Sequence, residues 1–497
     1  AESPLLNTAD IQTGQAKLFA FASIGSPVAD LIGALCSPMH FSIPEYEQVS
    51  DSDGASYTSY KIYVNGVFHC STRFSELRSF YDALVEGHGA RAVPAFPPKR
   101  LFGLTASQLG ERRAQLELFV QQVSQDPALG GRFQTFLQGA QKASRGLRPE
   151  PVELQIGLMT GKRCCLSVLN TDRTDDVLEA FAKTAGLSER FAYYFGLFLV
   201  ATGASGQPAV LRRLQDFELP CVSLAAAQQE AESARLVVRK AFWDSLLENE
   251  LYDEPAALRL LYAQACADLD NGWILPSREQ ADRLADYRQS RSRRDFLRLA
   301  RTCRFYGFLP FPDCFADWPT PDTPAVVWIG NKELVVRPQS ARTGGVFRVV
   351  RMRRWRLSTP SAPGATAPNS RGDSVPCHEL SFEYLVAPDS LKWFRINTHQ
   401  AVLLSLCLQS VVDEVVMKKA GGRIRTPADR DRGRDPADLN DFVDRQRPFT
   451  RRVGGAEDHQ SLAQRLAHWS AADSAAGAAA TVADNDSFVH AIGDDDL

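Results

Sequence analysis

The chain has 497 residues, enough for about three or four domains. Apolar residues make up 44% and charged residues 23%, an ordinary balance for a folded protein, and a formal net charge of −3 excludes a whole-molecule attraction to nucleic acid, so any basic site must be local. The ten cysteines contain no Cys-x-x-Cys pair and fit neither a zinc site nor a disulfide framework, so a reducing, cytoplasmic compartment with no metal and no cofactor is expected. The best apolar stretch, 16–36, is interrupted by Gly25, Pro27 and Asp30 and lacks the features of a signal peptide. Residues 1–38 are expected to be an extension outside the folded modules, and any membrane contact to be peripheral.

From Ser56 the pattern is that of a hairpin. Tyr60, Ile62 and Val64 alternate, Asn65-Gly66 follows, and an apolar run resumes at 67–70. Asn-Gly supplies the two positive φ values that a type I′ turn needs. Ser75 is placed to cap a helix with Leu77, Phe80, Tyr81 and Leu84 in one stripe. Pro94-Ala95-Phe96-Pro97-Pro98 interrupts, and Thr105 opens a second helix with Leu109, Leu116, Phe119, Val120 and Val123 on one face. This first module is expected to end at about 147. A hairpin at 152–169, a helix near 175–184, a strand at 193–200 and a segment at 211–222 suit a ubiquitin-like lobe over 151–227. Residues 228–317 predict a mostly helical lobe.

Strands return at 326–329, 334–336, 346–357 and 380–386, followed by one long helix with Leu404, Leu408, Val412 and Val415 at helical spacing and Gly421-Gly422 as its stop. This suits a small β-sandwich capped by a helix, closing an α+β multidomain chain at about 422. The segment 359–376, rich in Ser, Ala, Pro and Gly, predicts a solvated loop in which Arg371-Gly372-Asp373 is read as chance. From 423 to 497 the composition predicts a disordered tail with an acidic end.

Arg73 follows a strand and precedes a helix start, where free backbone N–H groups and a fork-shaped guanidinium suit a phosphate. Phe74 is placed to stack under a ring, and Lys99 and Arg100 add cations after the Pro-Pro break. Arg112 and Arg113 fall at or beside the apolar face of their helix, where a lone arginine needs an anionic partner. Leu101, Phe102 and Leu104 beside these cations suit shallow insertion into a bilayer. Each cation alone reads as a solvated charge; their convergence in one module is what suggests a site. Pro94-x-x-Pro97 with Lys99 also matches an SH3 ligand, but inside a folded module. In the back half, the strand at 347–357 carries Arg348, Arg351, Arg353, Arg354, Arg356 and Trp355, which reads either as a charged edge that blocks aggregation or as an edge that accepts an added peptide strand. Catalytic motifs are absent: there is no Walker loop, His-Glu-x-x-His or Gly-x-Ser-x-Gly, and Cys164-Cys165 reads as a strand dipeptide.

Met39-His40-Phe41-Ser42-Ile43-Pro44, Arg73-Phe74-Ser75, Pro94-Ala95-Phe96-Pro97-Pro98-Lys99 and Glu111-Arg112-Arg113 resemble a phox-homology (PX) domain. Trp273-Ile274-Leu275, Phe296-Leu297-Arg298-Leu299-Ala300, Tyr306-Gly307, Cys407-Leu408-Gln409-Ser410 and the terminal Ile492-Gly493-Asp494-Asp495-Asp496-Leu497 resemble the PX–FERM sorting nexins. The resemblance covers about 39–422 and the last ten residues. It implies a PX domain at 39–147, then FERM lobes at 151–227 (ubiquitin-like), 228–317 (helical) and 318–422 (PH/PTB-like). It implies a non-enzymatic sorting adaptor, cytoplasmic and peripheral on early endosomes, that directs cargo to recycling and away from lysosomal degradation.

By motif position, Arg73 is implied to hold the 3-phosphate of phosphatidylinositol 3-phosphate with Phe74 and Ser75 nearby. Lys99 is implied to meet the phosphate nearer the glycerol, and Arg112 the ring hydroxyls. Receptor tails with Asn-Pro-x-Tyr or Asn-x-x-Tyr, of integrin and lipoprotein-receptor type, are implied to add to the strand at 346–357, with Trp355, Leu385, Val412 and Val416 lining the groove. Ile492, Asp494, Asp495, Asp496 and Leu497 are implied to engage the Retriever recycling complex.

Four departures stand out. Thr72 occupies a position that is basic in many PX domains, and Phe74 replaces a tyrosine. The basic stretch after Gly-Gly is split between Arg423-Ile424-Arg425 and Arg451-Arg452-Val453-Gly454-Gly455, and residues 1–38 have no counterpart. Two other readings compete. A FERM-type scaffold on cortical actin would need an actin-binding tail, and a PX-bearing enzyme would need a catalytic domain after 151.

Overall fold

The computed structural model describes residues 39–432 apart from 51–55, 101–103, 127, 204–205, 342, 359–365, 369–373, 377 and 388–389. The expectations for residues 1–38, for Arg371-Gly372-Asp373 and for the terminal acidic motif lie outside the described residues.

The first module begins with strands β1 (Phe41–Ser50), β2 (Ser56–Val64) and β3 (Val67–Arg73), an antiparallel sheet in the order β1-β2-β3. Asn65 and Gly66 take φ values of 53° and 78°, the geometry expected of the Asn-Gly turn. Three helices follow: α1 (Phe74–His88), α2 (Ala106–Gln125) and α3 (Gly130–Ser144). Thr105 caps α2 and Gln108 reaches back to its N–H, a reciprocal capping box. Ser75 does not cap α1. It sits exposed in the first turn, and Arg73 takes the cap position, its N–H donating to Glu76 at 2.9 Å.

Helix α3 was not anticipated, nor was β1, although Phe133, Phe136, Leu137 and Ala140 recur at helical spacing and are buried. Phe80 stacks on Phe136, with ring centres 4.7 Å apart, and meets Phe119 edge-on. The sheet's pairing is irregular between Ser42 and Glu45, and α2 satisfies the backbone left free there. Arg113 donates to the Ile43 carbonyl at 2.6 Å, and the Ile43 N–H donates to Glu117 at 2.8 Å.

The second lobe holds β4 (Pro151–Gly157), β5 (Arg163–Leu169), α4 (Thr174–Ala185), β6 (Phe195–Thr202), β7 (Pro208–Arg213), α5 (Pro220–Glu230) and β8 (Arg235–Lys240), with strand order β5-β4-β8-β6-β7. The segment expected at 211–222 therefore divides between a strand and a helix. The boundary expected at 227 falls short of the lobe's end: β8 lies at the centre of its sheet, parallel to β4 and antiparallel to β6. Leu236, Val237 and Val238 are all buried there, so the strand is apolar on both faces and shows no alternation.

Helices α6 (Pro255–Asp270), α7 (Arg278–Gln289) and α8 (Arg293–Ala300) form the next lobe. Strand β9 (Leu309–Ala316), inside the stretch read as helical, already belongs to the last sheet. That sheet adds β10 (Thr323–Gly330), β11 (Glu333–Pro338), β12 (Gly345–Arg348), β13 (Met352–Ser358), β16 (His378–Ala387) and β17 (Ser390–Thr398), in the order β12-β11-β10-β9-β17-β16-β13. The described parts of the expected loop, β14 (Thr366–Pro368) and β15 (Ser374–Pro376), pair with each other.

The single strand expected at 346–357 is two strands, separated by a 3-10 turn at Val349–Arg351. The chain leaves one edge of the sheet on β12 and enters the opposite edge on β13, so the sheet must curl until its two edges are a few residues apart. Helix α9 (Ala401–Lys419) follows, with Gly421 at φ 68° ending it. Disorder was expected from 423, but α10 (Pro427–Arg432) folds back onto the second lobe.

The modules share cores. One apolar cluster joins the second and third lobes, from Leu154 to Cys303, and a second centred on the last lobe takes in Met159, Val200, Val237 and Trp273. Phe217 of the second lobe packs into the core of the first module. Buried Arg239 of β8 holds Asp268 of α6 at 3.1 and 3.3 Å, and Lys240 holds the fully buried Glu248 at 2.7 Å. Among the described residues no helix is long and apolar enough to cross a membrane.

Candidate lipid and peptide sites

The junction of β3 and α1 gathers four of the five residues expected at the lipid site. Arg73 ends β3, with its guanidinium carbon 3.5 Å from the centre of the Tyr57 ring. Phe74 starts α1, with Ser75 exposed beside it. Arg112 reaches across from α2 and lies 4.2 Å from the centre of the Phe74 ring. Its Nη2 and the neighbouring Tyr60 hydroxyl are both buried, and neither makes a hydrogen bond of good geometry, although the two groups lie close enough to interact. Burial pushes the Tyr60 phenol up, and the nearby Arg112 guanidinium pulls against it.

Lys99 is exposed at the end of the proline-rich segment. That segment is anchored by buried Pro97 and by Phe96, which stacks on Tyr81 at 5.0 Å and meets Phe119 at 4.9 Å. Arg100 lies 3.9 Å from Glu111. Leu104 is half-buried, and Leu101 and Phe102 lie outside the described residues. Thr72 faces inward, 2% exposed, and its hydroxyl donates to Glu76 at 2.7 Å, so this position serves the helix start. Arg113 is committed to Ile43 and Glu117, which separates it from Arg112.

The second site is the outer edge of β13. One side of this strand pairs with β16, and the other has no strand beside it among the described residues. Trp355 is 3% exposed, faces the core opposite Phe382, and donates from Nε1 to Ser405 of α9 at 3.0 Å. Leu357, Val412 and Val416 join the same cluster, Val412 buried and the other two partly exposed. Leu385 stands apart near the end of β16, paired with Leu391 and outside that cluster. On the opposite face, Arg354 holds Glu383 at 3.0 Å, and Arg354 and Arg356 lie 5.4 and 4.8 Å from the Trp393 ring. The charged stretch is thus an amphipathic edge strand, with arginines outward and Trp355 inward.

The far side of α9 locks it in place. Glu414 accepts from the N–H groups of Trp243 and Asp244 at 2.7 and 2.6 Å, and Ser410 from the Trp243 indole at 3.0 Å. Lys418 pairs with Asp244.

Family models match in the order of the observed modules: the PX domain over 60–139, the F1 lobe of the sorting nexin 17/27/31 FERM domain over 152–243, the F2 lobe of sorting nexin 17/31 over 244–304, and the sorting nexin 17 FERM C-terminal domain over 307–416. Sorting nexin-17 of Mus musculus and of Homo sapiens are each 44% identical over 395 residues, covering 78% of this chain and 84% of theirs. The chain belongs to the PX–FERM sorting nexins. Sorting nexin-31 of Homo sapiens is 34% identical over 388 residues, covering 77% of this chain and 87% of its own.

A PX domain implies phosphoinositide binding and a FERM domain implies cargo-tail binding, so this sorting nexin is an endosomal sorting adaptor with peripheral association to membrane. Two residues at the candidate sites of this sorting nexin were missed in its sequence: Tyr57, which flanks Arg73, and Ser405, which fixes Trp355. Tyr57 carries no local signal, because it meets Arg73 only through the pairing of β2 with β3. Ser405 is a small polar residue in an otherwise apolar helical stretch, which is a signal of a kind.

Proposed function

We propose that this chain binds phosphatidylinositol 3-phosphate on early endosomes through Arg73, Phe74, Ser75, Lys99 and Arg112. Arg73 holds the 3-phosphate, Lys99 the phosphate nearer the glycerol and Arg112 the ring hydroxyls, while Leu101, Phe102 and Leu104 dip into the bilayer. Along β13 it takes receptor tails carrying Asn-Pro-x-Tyr or Asn-x-x-Tyr, with Trp355, Val412 and Val416 backing the groove and Leu385 at its far end. The C-terminal residues Ile492, Asp494, Asp495, Asp496 and Leu497 hand the loaded adaptor to the Retriever complex, so that cargo is recycled.

The observation that supports this reading most is the buried, unpaired Nη2 of Arg112 beside Phe74. An orphaned guanidinium donor is costly unless a ligand oxygen completes it. The β13 edge beside α9, which has no further strand next to it among the described residues, supports the peptide half in the same way, since an edge strand can accept an added one. The test is flotation of the full chain with vesicles of phosphatidylcholine containing either phosphatidylinositol or phosphatidylinositol 3-phosphate, followed by calorimetry with an Asn-Pro-x-Tyr peptide. Selective flotation with the 3-phosphate vesicles and peptide binding of about −8 kcal/mol, which is micromolar, are expected. Equal flotation with both vesicles would remove the lipid assignment, and absence of peptide binding would remove the cargo assignment.

A further inference from the structure

Beyond Gly422 the chain does not leave the FERM module at once. Ile424 packs against the apolar cluster shared by the second and third lobes. Arg425 pairs with Asp216 at 2.6 Å and lies 4.2 Å from the centre of the Tyr193 ring. Arg423 forks onto Asp429 at 2.8 and 3.0 Å, and the Thr426 N–H and hydroxyl donate to the same carboxylate at 2.7 and 2.8 Å, so the short segment holds its own shape. Arg430 then enters a cradle on α4. Its guanidinium meets Asp175 at 3.1 Å, Glu179 at 2.9 Å and Asp176, and its side chain is 9% exposed. Asp175 itself is 1% exposed, and Glu179 also accepts the Tyr193 hydroxyl.

Three carboxylates around one buried guanidinium make a site with a definite chemical preference. A planar fork can satisfy several carboxylates at once, whereas an ammonium offers a single point charge. Asp175 also meets Arg173 at 3.0 Å, but three carboxylates gathered here outnumber that one guanidinium, so the cradle favours a second cation. We propose that α4 carries a docking site for an arginine-bearing segment, filled in cis by residues 423–430, and that this strap ties the end of α9 to the second lobe. The described chain then ends against the second lobe, not at the end of the helix that walls the peptide groove. A partner presenting an arginine in the same way competes with the strap for the cradle.

The test uses the full chain and reads hydrogen exchange of the 424–430 amides together with binding of a labelled synthetic peptide of residues 420–433. The wild-type chain protects these amides and binds the free peptide weakly, because its cradle is occupied. Arg430→Glu exposes them and binds the wild-type peptide at least about tenfold more tightly. Combining it with Asp176→Arg restores protection by swapping the charges. If Arg430→Glu does not fold, the pair Asp175→Asn with Arg430→Gln, which removes one charge from each side, must show the same loss of protection. Unchanged protection in a folded variant, or no peptide binding by the emptied cradle, overturns the proposal.

Discussion

The guanidinium carbon of Arg112 lies 4.2 Å from the centre of the Phe74 ring, so a cation from α2 is held over the residue that opens α1. Since the Arg112 Nη2 is buried without a partner, the arrangement is less stable than it could be without ligand. Arg112→Gln is therefore expected to abolish selective flotation with 3-phosphate vesicles while leaving the melting temperature unchanged or slightly higher. Differential scanning fluorimetry beside flotation checks this, and a large drop in melting temperature would mark Arg112 as structural.

Trp355 serves the core as well as the proposed groove. Trp355→Ala should destabilise the chain by about 3–5 kcal/mol, and loss of peptide binding in that variant would be ambiguous. Val416→Asp, at a partly exposed position of α9, is expected to abolish peptide binding with a much smaller effect on stability. Urea unfolding paired with peptide calorimetry separates the two.

Glu248 has no solvent exposure and is held by Lys240 at 2.7 Å and the Tyr306 hydroxyl at 2.9 Å. Glu248→Ala leaves Lys240 buried and uncompensated, a loss of about 3–5 kcal/mol. The measurement is the midpoint of urea denaturation. A change of less than about 1 kcal/mol would show that Lys240 finds another partner or reaches water.

His69 and His378 are 3% and 5% exposed, and burial lowers both imidazoles to about 4. At His69 the nearby Glu218 pulls the other way, while Arg212 and Arg145 add to the lowering. The unfolded chain takes up these protons below about pH 6.5 and the folded chain only below about 4. Their contribution is thus fully present above 6.5 and is lost as pH falls towards 4, by at most about 3 kcal/mol for each histidine. Urea midpoints measured from neutral pH down to about 5 should fall, and His69→Gln should flatten the slope. A pH-independent midpoint would show that neither histidine is kept neutral by folding.

The hairpin at Asn65-Gly66, the cap at Thr105 and the long C-terminal helix were all legible because each is written in a few neighbouring residues. Arg73, Phe74, Ser75 and Arg112 could be placed from the resemblance to PX motifs, and the structure brings them to one junction. What spacing could not separate was Arg112 from Arg113. The two are adjacent on one helix, and only the position of the β1 irregularity gives Arg113 a backbone carbonyl and leaves the Nη2 of Arg112 without a hydrogen-bond partner.

The sequence by itself determined the order of modules, since helical and strand periodicities are local, while the candidate residues at both sites rested on the resemblance to the family's motifs. The tertiary structure alone decided that β8 is the centre of the second lobe's sheet, that 346–357 divides between two opposite sheet edges, and that Arg430 returns to α4. In each case the decisive partner lies far away in sequence. Asp176 and Arg430 are joined only when α9 has carried the chain back across the molecule, and a guanidinium's spacing from its neighbours says nothing about which distant carboxylate will meet it.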